Sequence, residues 1–189
     1  RMAYIARTPK ALLNSLDRKK EAIEQILPDL EAIHTVQKNK PTIRFYDGFE
    51  EVKQIYEESL SAKEIFSIAS LKHLKSLDNS FYQWYQKQLK KKDIVVHDIV
   101  TAGSKESGMR ETKKILKGLY DVAILPSYYG ESGTDILTWD NTLVCIALEP
   151  PIFGTVIVNS PIARTFKIIF RALQDRLPQE PAMSYRQEK

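Results

Sequence analysis

Apolar positions recur first at helical spacing, then in short runs that alternate with helical stretches. Leu12, Leu16, Ile23, Ile26, Leu30 and Ile33 fall at alternating four- and three-residue intervals, with Lys19 in the one vacant slot of the heptad. Ahead of them Thr8-Pro9 is a cap and first-turn pair: the threonine hydroxyl can accept a free amide, and proline sits where no amide partner is needed. The spacing predicts a helix over residues 9–34 whose seam pairs with a second helix, kinked or split at Pro28. The alternative is a helix packed on its own domain.

From residue 38 the period changes. "KPTIRFYDG" (40–48) is a β-type run ending at the turn pair Asp47-Gly48. Residues 49–60 place Phe49, Val52, Ile55 or Tyr56 and Leu60 on one helical face, and residues 63–70 alternate as a strand. A helix over 79–91 and a strand over 93–103 repeat the unit. A polar loop and helix (104–118), a strand (119–126) and the loop "SYYGESG" (127–133) follow. Residues 134–139 and 142–148 are separated only by Asp140-Asn141, the length and chemistry of a two-residue hairpin. After Pro150-Pro151 comes a strand over 152–159. A helix over 160–177 then opens with Ser160-Pro161 and carries Ile162, Phe166, Ile169, Phe170 and Leu173 on one face. Residues 178–189 are polar, contain proline and lack periodicity, which predicts a disordered tail. The predicted class is α/β: a mixed β-sheet flanked by helices over 38–177, preceded by a long N-terminal dimerisation helix within 1–36.

Composition narrows the classes. Across 189 residues, 28 basic side chains face 24 acidic ones, and the net charge of +4 makes no strong electrostatic case for nucleic acid or an anionic membrane. A single cysteine, Cys145, excludes an intramolecular disulfide and a multi-cysteine metal site. No apolar run approaches the roughly 20 residues of a membrane helix, and the N-terminus lacks a signal-peptide core. A soluble, cytoplasmic protein without membrane contact is expected.

Catalytic signatures are weak. "GSKESGMR" (103–110) has the glycine spacing of a phosphate-binding loop, but Met109-Arg110 stands where lysine and a hydroxyl residue contact phosphate and magnesium. "FYQWYQKQLKKK" (81–92) interleaves aromatics and lysines, as an amphipathic helix burying Phe81, Trp84 or Tyr85 and Leu89 requires. His34, His73 and His97 have no partners at metal-ligand spacing; His97 and Asp98 point to opposite faces of one strand, and Cys145 reads as a small core residue. No metal or cofactor is expected. What remains are polar residues at strand ends, where sheet-based folds place ligands: Ser70, Thr101, Ser127 and Tyr128, with Asp140 in the hairpin turn as a further candidate.

Several strings carry a family resemblance. "YIARTPKALLNSLDRKKEAIEQILPDLEAI" (4–33) resembles the linker helix of TrmB-type transcriptional regulators, in which a Tyr-x-Ala-x-x-Pro pattern, here Tyr4, Ala6 and Pro9, closes the DNA-binding wing and opens a dimerising helix. "KPTIRFYDGFEEVKQIYEESL" (40–60) and "FGTVIVNSPIARTFKIIFRAL" (153–173) resemble the start and end of that family's C-terminal domain. That domain is similar to one half of the phospholipase D fold, whose enzymes carry a His-x-Lys motif. The stretch set against the motif is Asp140-Asn141-Thr142, which has neither the imidazole that attacks phosphorus nor the lysine that holds phosphate.

The resemblance implies a non-catalytic, homodimeric effector-sensing portion of a TrmB-like regulator. Its effector would be a small molecule, typically a sugar, and it would reach DNA only through a winged helix upstream of residue 1. The rival readings are a degenerate or divergent phospholipase D-like phosphodiesterase and a dimerisation scaffold without a ligand.

Overall fold

The computed structural model describes residues 10, 16, 19–27 and 41–178. The chain divides into two units, Arg1–Pro41 and Thr42–Lys189. In the first, residues 10, 16 and 19–27 are helical, and Leu16, Ile23 and Ile26 are 61%, 57% and 52% exposed. Leu12, Leu30, Ile33, Pro28 and the Thr8-Pro9 pair lie outside the described residues, as does the tail from residue 179 onward.

The second unit is built on seven strands: β1 (Thr42–Asp47), β2 (Glu64–Ala69), β3 (Val95–Thr101), β4 (Tyr120–Leu125), β5 (Thr134–Trp139), β6 (Thr142–Ala147) and β7 (Phe153–Val158). They lie in the order β1-β7-β6-β5-β2-β3-β4. The three strands joined through helices, β2, β3 and β4, run parallel, whereas β5, β6, β7 and β1 pair antiparallel. The sheet is therefore mixed, with its change of direction between β2 and β5.

Helices α1 (Gly48–Ser59), α2 (Leu71–Leu77), α3 (Asn79–Lys91) and α4 (Arg110–Leu116) cover one face. Val52, Ile55, Tyr56, Leu74, Tyr82 and Leu89 pack there against the sheet's Ile65, Val96, Val122, Leu137, Val144 and Val156. Gly154 of β7 leaves room for this packing, because a side chain there would collide with Ile55. The opposite face is covered by α5 (Ser160–Gln174), whose Phe170 closes over Phe66, Ile99 and Ala123.

Two local features differ from expectation, and a third settles an open alternative. Helix α2 lies in a stretch without a predicted element. It is short, and its buried Leu71 and Leu74 give less than a full period to recognise. Asp78 separates it from α3, taking an extended conformation while its carboxylate accepts the Phe81 amide at 2.9 Å. Helix α5 is capped by Asn159, not Ser160: the Asn159 side chain accepts from the Ile162 amide at 3.1 Å, with Pro161 in the first turn. In α3 it is Tyr85 that is buried and Trp84 that is partly exposed.

Candidate functional site

Ser70 and Thr101 end adjacent parallel strands, β2 and β3, so topology alone brings them to one end of the sheet. The chain must then travel from the edge strand β4 past β3 and β2 to reach β5. The loop 126–133 therefore passes the ends of those strands and carries Glu131 to Thr101 and Gly103. Strand β6 returns to the same end and delivers Glu149, where the Leu148 amide donates to the Gly133 carbonyl at 2.7 Å.

Ser70 is fully buried between β2 and α2. Its amide donates to Asp135 Oδ1 at 2.6 Å, and its hydroxyl lies 2.6 Å from His73 Nδ1. The other imidazole nitrogen, Nε2, is 3.1 Å from Glu149 Oε1. When Nε2–H donates to Glu149, Nδ1 accepts from the Ser70 hydroxyl, and the ring is held at both ends. Serine, histidine and carboxylate in series have the connectivity of a hydrolytic triad. With its side chain enclosed, however, the Ser70 hydroxyl orients the imidazole and is not presented to a substrate.

Glu131 accepts the Gly103 amide at 2.8 Å. The Thr101 hydroxyl holds its carboxyl below the usual range, helped by the Gly103 amide and by the charges of Lys72 and His73. Two glycines make space for the two carboxylates. A Cβ at Gly103 would stand 2.7 Å from Glu131 Oε2, and one at Gly133 would collide with Glu149. The Ser104 hydroxyl, 3.3 Å from that of Thr101, also accepts the Lys72 amide at 3.3 Å and ties α2 to this end.

Beneath the cluster sits Asp135, its Oδ2 accepting from the Tyr56 hydroxyl at 2.7 Å. Burial pushes its carboxyl up to about 6. Asp98, on β3, accepts from the Ser67 and Tyr120 hydroxyls and is likewise raised by burial to about 6.

The sequence-derived candidates separate on this frame. Ser70 and Thr101 belong to the cluster. Ser127 and Tyr128 follow β4 at the same end of the sheet in a tight turn, with Tyr128 79% exposed and its ring 4.5 Å from that of Tyr129. Asp140 is placed elsewhere. Because β5 runs antiparallel to β2, the Asp140-Asn141 turn lies at the opposite end of the sheet, where Asp140 takes φ 43° and its carbonyl accepts from Lys167. The whole Asp140-Asn141-Thr142 stretch set against the His-x-Lys motif is thus remote from the strand-end cluster.

His73, Glu131, Asp135 and Glu149 were missed by sequence reasoning, since each is a lone polar residue in a helix, loop or strand. Gly103 and Gly133 were the available signal. His97 bridges Glu64 and Asp121 at 3.0 Å each and stacks on Phe66, a structural role on the α5 face. Cys145 is half-buried on the same face, while its neighbours Val144 and Ile146 fill the core. Met109, at the place of a phosphate-binding lysine, is buried in the core. Among the described residues no group of three or more His, Cys, Asp and Glu could hold a metal ion, and no helix is long and apolar enough to cross a membrane.

No protein-family model matches the sequence, and no curated protein is significantly similar to it. Solved structures are. TrmBL2, an archaeal chromatin protein with a novel mode of DNA binding, aligns at 14% identity and a TM-score of 0.53 over 90% of this chain and 66% of its own. Nuc from Salmonella typhimurium, a phospholipase D family member, aligns at 12% identity and a TM-score of 0.55 over 75% of this chain and 99% of its own. NucT from Helicobacter pylori gives 14% identity, a TM-score of 0.51 and coverages of 75% and 100%. The chain thus spans just under two thirds of TrmBL2, and at these identities the likeness is one of fold. With its mixed seven-stranded sheet and helices on both faces, the second unit has the phospholipase D-like α/β fold.

Proposed function

We propose that this chain is the effector-sensing and dimerising portion of a TrmB-like transcriptional regulator, with its effector site at the strand-end cluster. The observation that carries the reading is the pairing of two partly exposed carboxylates, Glu131 and Glu149, with His73 over a buried floor of Ser70 and Asp135. Carboxylates accept and an imidazole can donate, so the cluster matches the adjacent hydroxyls of a polyol, and the exposed Tyr128 and Tyr129 rings at the same sheet end offer apolar faces for a sugar ring. The likeness of fold to TrmBL2, a chromatin protein that binds DNA, supports a DNA-associated role. Effector binding would bias the placement of the two linker helices in a dimer.

A second reading is a divergent phosphodiesterase, favoured by the fold shared with Nuc and by the held imidazole of His73. One pair of variants separates the two. A sugar and polyol library should raise the melting temperature of the native chain and leave Glu149→Gln and His73→Ala unmoved. Turnover of a generic phosphodiester by the native chain that His73→Ala abolishes would replace sensing with catalysis. The absence of any thermal shift across the library on folded protein would remove the effector site.

A further inference from the structure

The net charge of +4 averages over a surface on which basic groups are segregated. Strands β2, β3 and β4 run parallel, so the helices that connect them, α3 and α4, both run back against the strands and end where β3 and β4 begin. The two lie side by side, with the Tyr82 hydroxyl of α3 2.7 Å from that of Thr112 on α4. Topology therefore gathers their last turns, and the loops that follow, at the sheet end opposite the strand-end cluster. Lys87, Lys90, Lys91 and Lys92 close α3, and Lys114 and Lys117 close α4. Lys63, whose carbonyl accepts the Val95 amide at 3.0 Å, joins them from the start of β2. All but Lys90 are exposed. Lys92 donates to the Leu60 carbonyl at 3.0 Å, and none of the other six has an ion pair among the described residues. The acids on the same segments are Asp93, Glu64 and Asp121, and the last two are held by His97 at 3.0 Å each.

A single lysine in a last turn complements the helix dipole. Seven ammonium groups at one end of a sheet exceed that need and repel one another, a cost that a polyanion would remove. We propose that this end of the sheet binds the phosphodiester backbone of a nucleic-acid duplex, independently of base sequence. Composition selects the partner. Protein interfaces favour arginine and aromatic rings and are depleted in lysine, whereas a lysine ammonium is a hydrated point charge suited to phosphate oxygens. Binding to an anionic membrane would draw on apolar side chains beside the charges. Among the described residues no exposed large apolar side chain lies in the last turns of α3 and α4 or in the loops after them. Packed helices lie about 8–10 Å apart, so the lysines of α3 and α4 form two rows on the scale of the roughly 6–12 Å grooves that separate duplex phosphates. No residue of the strand-end cluster takes part, so this surface is independent of the effector reading.

The test is fluorescence anisotropy of the full chain with short labelled DNA and RNA duplexes of arbitrary sequence. With about five phosphates neutralised, affinity should fall about 10²–10³-fold between roughly 50 and 200 mM salt. Lys91→Glu with Lys114→Glu reverses one exposed lysine on each helix. It should weaken binding at least about 10-fold at the lower salt and flatten the salt dependence. Arg164→Glu with Arg176→Glu, an equal change in net charge at exposed positions on and just beyond α5, should weaken binding less than about 3-fold. Far-UV circular dichroism and melting check that both variants fold. Tighter binding of one duplex identifies whether the backbone is that of DNA or RNA. No binding of either duplex at the lower salt, binding untouched by the lysine reversals, equal loss in the two variants, or tighter binding to phosphatidylserine vesicles than to either duplex would each overturn the proposal.

Discussion

Asp135 belongs to two environments at once, since one oxygen accepts from Tyr56 in the core and the other from the Ser70 amide under the strand-end cluster. Such a residue has consequences for stability against pH. The carboxyls of Asp98 and Asp135 are raised from 3.8 to about 6, so each binds its proton more tightly folded than unfolded. As pH falls through 6 the folded state takes up protons first, and the stability gained is lost again as pH rises from about 4 through 6. Between pH 7 and pH 5 the native chain should gain about 1 kcal/mol more than Asp98→Asn, the share of the one carboxyl removed, read from urea unfolding at each pH. A difference between the two proteins that stays constant with pH would contradict the assignment. Both aspartates were visible in the sequence as single acids in apolar strands, but nothing local says that the fold buries them both.

At the scale of elements, period and punctuation carried most of the information. The β5–β6 hairpin follows from Asp140-Asn141 between two apolar runs, with Trp139 paired to Thr142 across the turn. The α1 face follows from Phe49, Val52, Ile55 and Tyr56 at helical spacing. How closely α1 approaches the sheet is set by Gly154, which had no distinguishing neighbours in the sequence. Gly154→Ala would drive a methyl into the fully buried Ile55, and overpacking of this kind costs about 1–3 kcal/mol. Chemical denaturation should show the loss, and restoration of stability in Gly154→Ala with Ile55→Val would identify the contact as its cause. Helix α2 escaped prediction because seven residues with two buried leucines hold too little periodicity, and Asp78 serves as boundary and cap together.

At the scale of the molecule, the exposure of Leu16, Ile23 and Ile26 among the described residues of the first unit motivates the dimer proposed above. Light scattering should report twice the 21.7 kDa mass of the chain at micromolar concentration, and Ile23→Glu with Ile26→Glu should return it to a monomer. A native chain that scatters as a monomer would remove dimerisation and, with it, the proposed route from effector to linker helix. The sheet order has a consequence of its own. Because β5 pairs with β2 and not with β4, the loop carrying Glu131 must pass the strand ends, and the cluster forms there and not at the hairpin.

The sequence by itself determined the α/β class, nearly every strand and helix of the second unit, and the position of Ser70 and Thr101 at strand ends. These follow from local rules, in which burial repeats with the period of an element and turns need particular residue types. Only the tertiary structure decided that His73, Glu131, Asp135 and Glu149 join them, that Asp140 does not, and that the lysines closing α3 and α4 share one end of the sheet. Those meetings depend on strand order and direction, which arise from contacts between residues far apart in the chain, such as Thr42 with Val158 and Tyr56 with Asp135, and no local pattern encodes which side chains such contacts bring together.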